Sequence, residues 1–395
     1  MSDTKPMSYA SHFSRFLNAD PGRLHLAAHS HHGWPDVTEA AHAQAWTDAI
    51  TLADRKWDKV FGEVVPAFQR HVAGRLNLPD PGTIAIAPNT FDLVRRLLSC
   101  LPDDRTPRIL TSDAEFHSFT RQTARLEEDG LIEVTRVPAE PFDSFEERFR
   151  QAASVGGFDL VFVSHVFFDS GFVLQDLDSL FAAVPDDETL VVIDGYHGFM
   201  ARPTDLSAIA HRAFYLAGGY KYAMAGEGAC FMHCPPGIAP RPRDTGWYAA
   251  FGAIAGAANQ VGYASDGGRF LGATFDPTGL YRFNAVMDWL DGLGLPVGEI
   301  DAHVQGVMTA FLTALDARPV AGLTPDILLR DPNEGPTGHF LTFRNDEAGA
   351  IHDRLMTANV IVDHRRDRLR FGFALYHDAD QAASYVERIA AALTA

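Results

Sequence analysis

From residue 83 onward the chain alternates short apolar runs with longer stretches in which apolar residues recur at helical spacing. The runs TIAIA, RILT, LIEVTRV, DLVFVSHVFF, LVVID, AFYLA and ACFMH read as strands, and helices are predicted between them over 91–101, 145–154 and 176–184. Several of these runs are unbroken Val, Ile, Leu and Phe rather than apolar-polar alternation, which is the pattern of strands covered on both faces. Strands alternating with helices in this way predict an α/β large domain built on a mainly parallel seven-stranded sheet. Upstream, 37–76 reads as two helices with no strand between them.

Past the last of these strands the pattern changes. Residues 238–280 are rich in Gly, Pro and aromatics (PRPRDTGWYAAFGAIAG), which suggests ordered loops. A helix over 278–291, another helix, the strand HFLTF, a helix over 346–358, the strands VIVD and RLRFGF and a closing helix then make a smaller α+β layer. The expected division is an N-terminal segment (1–60) that packs on the small domain and the site, a large domain (61–280) and a small C-terminal domain (281–395).

Composition narrows the class. With 46% hydrophobic and 21% charged residues in 395, the chain is an ordinary folded protein. A net charge of −18 opposes binding to nucleic acid or to an anionic membrane surface. The start MSDTKPMSYA has no apolar segment, and no long uncharged apolar run follows, so a cytoplasmic location is expected. Three cysteines without zinc-type spacing exclude a disulfide framework. The lysines are more informative: of 33 basic residues only Lys5, Lys56, Lys59 and Lys221 are lysine, and Lys221 alone lies outside polar surroundings, in GGYKYAMAGEGA. Arginine can do most cationic work, but it cannot lose a proton and attack a carbonyl. Lys221 is therefore a candidate nucleophile.

Three further elements surround it in the pattern. Asp194 ends the strand LVVID, and ligands of open α/β sheets collect at such carboxyl ends; the alternative is an Asp that caps the following turn. Asn89 and Thr90 lie between a strand and a helix, where they either cap the helix or help its free N–H groups hold a phosphate. Phe116 directly follows a strand, as a core residue or as a platform for a planar ligand. An amine, a carboxylate, a phosphate cradle and an aromatic face together fit pyridoxal 5'-phosphate, whereas no G-x-G-x-x-G follows the first strand to support a nicotinamide cofactor.

At these residues the sequence resembles the kynureninases, within the fold type I pyridoxal-phosphate enzymes and the class V aminotransferase branch. GGYKYAMAGEGA is similar to the family's Tyr-Lys-Tyr segment, which implies Lys221 as the lysine that binds the cofactor aldehyde and Tyr220 as a phosphate contact. VVIDGYHG is similar to its Asp-x-x-His element, implying Asp194 at the pyridine nitrogen and His197 beside the ring. VSHVFFDSG matches its Ser/Thr-His-Val stretch, and APNTFDL its phosphate-binding pair, Asn89 and Thr90. Phe116 matches the stacking aromatic. DTGWYAAFG implies that Trp247 reaches a phosphate across a dimer interface, LGATFDPTG places Thr274 near the cofactor, and RLRFGFALYHD makes Arg370 the clamp on the substrate carboxylate.

The resemblance fails at one end. Where kynureninases read Gly-Asn-Ser-Leu-Gly, this chain has AAHSHHG, so His29 stands for the Asn, with Ser30 beside it on the substrate side and His31 and His32 added. These histidines either select a polar or acidic substrate or pack a loop at the domain interface. Their spacing fits no metal-ligand pair, and no metal is expected. The resemblance implies a homodimeric hydrolase with shared active sites that cleaves Cβ–Cγ of an L-amino acid and releases alanine. An aminotransferase or β-lyase on another amino acid, or a cofactor-binding protein without turnover, remain the alternatives.

Overall fold

The computed structural model describes residues 8–253 and 261–394. After a short strand β1 (Leu24–His25) come β2 (Ile84–Ala87), β3 (Arg108–Ser112), β4 (Glu133–Val137), β5 (Leu160–Ser164), β6 (Leu190–Asp194), β7 (Ala213–Gly218) and β8 (Cys230–His233). The last seven form one sheet in the order β2-β8-β7-β6-β5-β3-β4. Strand β8 runs against both its neighbours, and the other pairs are parallel. The expected mainly parallel seven-stranded sheet is thus present.

The unbroken apolar runs still obey a two-residue period, because both faces are covered. Val161, Val163, Val191, Ile193 and Tyr215 enter the core on one side of the sheet, while Leu160, Phe162, Val192, Phe214 and Leu216 enter the core on the other. Only β4, at the edge, alternates exposed and covered positions. The helices Val37–Leu52 and Val65–Leu76 are joined by short helical turns, and Val37–Leu52 packs along the helix Thr278–Gly292.

Strands β9 (Phe340–Arg344), β10 (Val360–Ile361), β11 (Asp363–Arg365) and β12 (Arg368–Gly372) belong to the smaller layer. VIVD, expected as one strand, divides in two: β10 pairs in parallel with β1, whereas β11 starts the antiparallel sheet β11-β12-β9. Helices Val297–Ala317, Ala348–Thr357 and Ala382–Thr394 enclose a separate core around Met308, Phe311, Phe343 and Phe371. Helix Thr278–Gly292 buries Leu280, Phe283, Val286 and Met287 in the large core, and the small core takes over from Val304. The N-terminal segment stitches the two together. Leu24 and Leu26 sit in the small core, Ala28 in the large one, and Ala27 bridges to Gly372.

Candidate active site

Asp194 closes β6 in the middle of the sheet, and its Oδ1 accepts the Tyr196 N–H at 2.9 Å, so the carboxylate both caps the turn and faces the cleft above the strand ends. The turn DGYHG needs its glycines. A Cβ on Gly195 would stand 1.9 Å from the Tyr215 ring, and one on Gly198 would stand 2.5 Å from His165 Nδ1. This tight turn brings His197 back over the strand end, where its Nε2 contacts Lys221 Nζ. Lys221 follows the end of β7 and is 5% exposed. Its amine lies 5.1 Å from the Tyr196 ring centre, 5.4 Å from Phe116 and 5.8 Å from Tyr220.

Burial among these rings pulls the Lys221 amine down to about 7, with Arg370 adding to the effect and the charge of Asp194 opposing it. His197 is held well below the ordinary imidazole value, by burial first and then by Lys221. Asp194 is raised by burial against the pull of the Tyr196 N–H and Lys221. Near neutral pH the pocket thus holds a neutral imidazole and an amine close to its own midpoint. That is the state a lysine needs in order to attack a carbonyl.

A cavity of about 470 Å³ joins these groups, walled by Asn89, Thr90, Phe116, Asp194, His197, Tyr220 and Lys221, with Ser164, Phe168 and Cys230 between them. Wider grooves of about 890 and 920 Å³ lie along the N-terminal segment and include neither Lys221 nor Asp194. Asn89 caps the helix Thr90–Leu98 by accepting the Asp92 N–H at 2.9 Å, so the capping role read from the sequence is filled. Phe116 stands at the start of the helix His117–Glu128, edge-on to Phe168.

Other expected site residues lie elsewhere. Trp247 and Thr274 are exposed and do not line the cavity; Trp247 stacks on Tyr248 at 4.1 Å. Arg370 is 3% exposed behind the cavity wall, donating to the Phe168 carbonyl and to Asp363 of β11, with its guanidinium 5.7 Å from the Phe168 ring centre. The internal carboxylate of Asp363 therefore already holds the arginine expected to clamp a substrate. His29 is fully buried, stacked on Phe340 at 4.8 Å, and neither ring nitrogen has a hydrogen-bond partner. Ser30 is half-buried beside His31, whose exposed ring stacks on Tyr220 at 5.2 Å. His32 packs among Phe13, Tyr222 and Tyr376. Sequence reasoning missed Glu115, Ser164, Tyr196 and Asp363. Glu115 had a visible signal, an acid directly before Phe116 at a strand end. Among the described residues no group of three His, Cys, Asp or Glu is arranged to hold a metal, and no helix is long and apolar enough to cross a membrane.

The sequence model of the aminotransferase class-V family matches residues 90–332, more than half the chain and all of the sheet after β2. The chain belongs to the class-V aminotransferase family. Solved structures agree on the fold. The cystine C–S lyase C-DES, in complex with cysteine persulfide, superposes with a TM-score of 0.79 at 17% identity, over 95% of this chain and 99% of that one. The cysteine desulfurase CsdA of Escherichia coli gives 0.77 at 15% identity, over 98% and 99%. A cysteine desulfurase of Thermococcus onnurineus NA1 gives 0.75 at 13%, again over 98% and 99%. No curated protein sequence matches significantly.

The class-V cofactor is pyridoxal phosphate, and the residues present fit it. A buried amine near its midpoint, a carboxylate, an aromatic face and a helix start line one cavity. His197, which lines that space, has a buried Nδ1 without a partner.

Proposed function

We propose that this class-V enzyme breaks a bond at the β-carbon of an L-amino acid, in kynureninase-like form by hydrolysing Cβ–Cγ and releasing alanine. The observation that carries this reading is the near-neutral, buried amine of Lys221 held against His197 and within one cavity with Asp194. Lys221 Nζ would hold the cofactor aldehyde and, once released from it, would take and return the proton at the substrate Cα. Asp194 keeps a proton on the ring nitrogen. Bound there, pyridoxal phosphate supplies an electron sink for the charge left at Cα. The helix start at Thr90 and the Tyr220 hydroxyl would hold the phosphate, and Phe116, packed edge-on against Phe168, would offer an aromatic face to the ring.

Trp247 and Thr274 lie outside their own cavity, which supports the reading that they complete the site of a second copy in a homodimer. Arg370 would receive the substrate carboxylate through its unpaired Nε–H or after loosening from Asp363.

A C–S β-lyase is the second reading, favoured by the full-length likeness to a cystine C–S lyase. It uses the same lysine and carboxylate and expels a sulfur leaving group. Transfer of sulfur to an enzyme thiol is disfavoured: Cys100 and Cys234 lie outside the cavity, and burial pushes the Cys230 thiol up to about 11 in the cavity wall. Incubating the cofactor-loaded protein with L-kynurenine, 3-hydroxykynurenine, L-cystine and L-cysteine separates these readings. Alanine with an anthranilate supports the hydrolase, pyruvate with ammonia supports the lyase, and absence of all products rejects both.

A further inference from the structure

Glu115 lies just past the end of β3 and is 3% exposed. It does not line the cavity, but it grips a residue that does. Its Oε1 accepts from Ser112 Oγ at 2.5 Å and from the Ser164 N–H at 3.2 Å, and its Oε2 lies 2.5 Å from Ser164 Oγ. Ser164 ends β5 directly opposite Asp194 on β6 and forms part of the cavity wall. A carboxyl buried this deeply is costly unless it is hydrogen-bonded, and Glu115 is held by these three contacts.

The geometry allows two arrangements. With Glu115 ionised, the Ser164 hydroxyl must point back at it, and the cavity meets only an oxygen lone pair. With Glu115 protonated, the carboxyl donates to Ser164 Oγ, and the serine hydrogen is free to turn into the cavity. We propose that Glu115 is a positioning residue: protonated, it donates to Ser164 Oγ and turns the serine hydroxyl into a donor toward an oxygen of the molecule bound in the cavity.

Burial pushes the Glu115 carboxyl up to about 8 against the pull of Ser112 and Ser164, and the charge of Asp194 adds to the rise. The titratable group facing it is therefore Asp194, from the end of β6, with Lys221 beyond it; Ser112 and Ser164, from β3 and β5, carry no charge. The donor arrangement holds at neutral pH and is lost as the pH rises through 8.

This inference rests on pyridoxal phosphate occupying the cavity but not on which bond the enzyme breaks. The test is binding of pyridoxal phosphate to the cofactor-free protein from pH 6.5 to 9.5, read by absorbance and fluorescence, for wild type, Glu115→Gln, Ser164→Ala and the double variant. An amide at 115 donates at every pH. Relative to Glu115→Gln, wild-type affinity should therefore fall about tenfold between pH 7 and 9, the loss expected one unit above a midpoint of 8. Ser164→Ala should remove this pH-dependent difference by itself, and Glu115→Gln should then change nothing further. Identical pH profiles for wild type and Glu115→Gln, or a Glu115→Gln effect that persists without the serine, would overturn the proposal. Failure of every form to bind the cofactor would overturn it together with the cofactor assignment. Binding with this signature but without cleavage of any amino acid would leave it standing and reject only the activity.

Discussion

The Lys221 amine offers the sharpest quantitative prediction. An exposed lysine titrates near 10.4, so at pH 7 only about one amine in 2,500 is neutral; at a midpoint of about 7 half are, an advantage on the order of a thousandfold. The perturbation is pH itself, applied to the cofactor-free protein. Its capture of pyridoxal phosphate, followed by rapid mixing and the visible absorbance that appears as amine and aldehyde condense, should accelerate about tenfold between pH 6 and 8 and then level off. An ordinary lysine would instead gain about tenfold with every unit up to pH 10. Asp194 opposes the shift, so Asp194→Ala should move the midpoint below 7. A capture rate that climbs without a plateau through pH 9, or a midpoint that rises in Asp194→Ala, would refute the reasoning. Borohydride should fix the cofactor on Lys221 and leave Lys221→Ala unlabelled.

Replacing Asp194 by Ala should also slow turnover by about 2.7 to 4 kcal/mol of barrier, the scale for one electrostatic stabiliser, in steady-state assays of whichever substrate is cleaved. Arg370→Met breaks a buried pair and leaves Asp363 with Arg365, so urea unfolding should show a loss toward the lower end of about 3 to 5 kcal/mol. Unchanged stability with a raised KM would instead mark Arg370 as a substrate clamp. His29→Asn restores the residue usual in kynureninases at a site where the ring nitrogens have no hydrogen bond and Nε2 lies 3.8 Å from Asp363, and it should raise turnover of kynurenine relative to acidic and polar amino acids if His29 selects substrate. Unchanged ratios would leave it a packing residue. Burial holds His25 and His377 down to about 3 and His32 to about 4, while in the unfolded chain each takes up a proton near 6.5. The unfolded state binds more protons between those values, so stability should fall as pH drops below 6.5, by up to about 1.4 kcal/mol per unit for each histidine. Urea midpoints measured from pH 7 to 5 check the slope.

Much of the fold was legible because it is written locally. The strands of the sheet are short apolar runs bounded by turn residues, and their order along the chain follows from alternation with helices. Lys221 stood out by composition, and Asp194 by ending an apolar run, since a carboxylate at the carboxyl end of a central strand has only the cleft to face. Phe116 and Thr90 were found in the short links between a strand and the next helix, a few residues beyond β3 and β2, and both line the cavity.

What the sequence could not supply came from contacts between distant segments. The pairing of β1 with β10 joins residues more than 300 positions apart, and nothing in LH or VI by itself names the partner. VIVD reads as one strand, but the chain is shared between two sheets at that point. Arg370, expected as a clamp for a substrate carboxylate, is met by Asp363 of β11, and Glu115 is covered by the end of β5. Apolar periodicity is a property of one segment and its own backbone, so the sequence by itself determined the elements and singled out Lys221. Charge state and hydrogen-bond direction depend on what other segments bury and pair, so only the tertiary structure decided that the Lys221 amine sits near its midpoint, that Arg370 is already held, and that Glu115 stands behind Ser164.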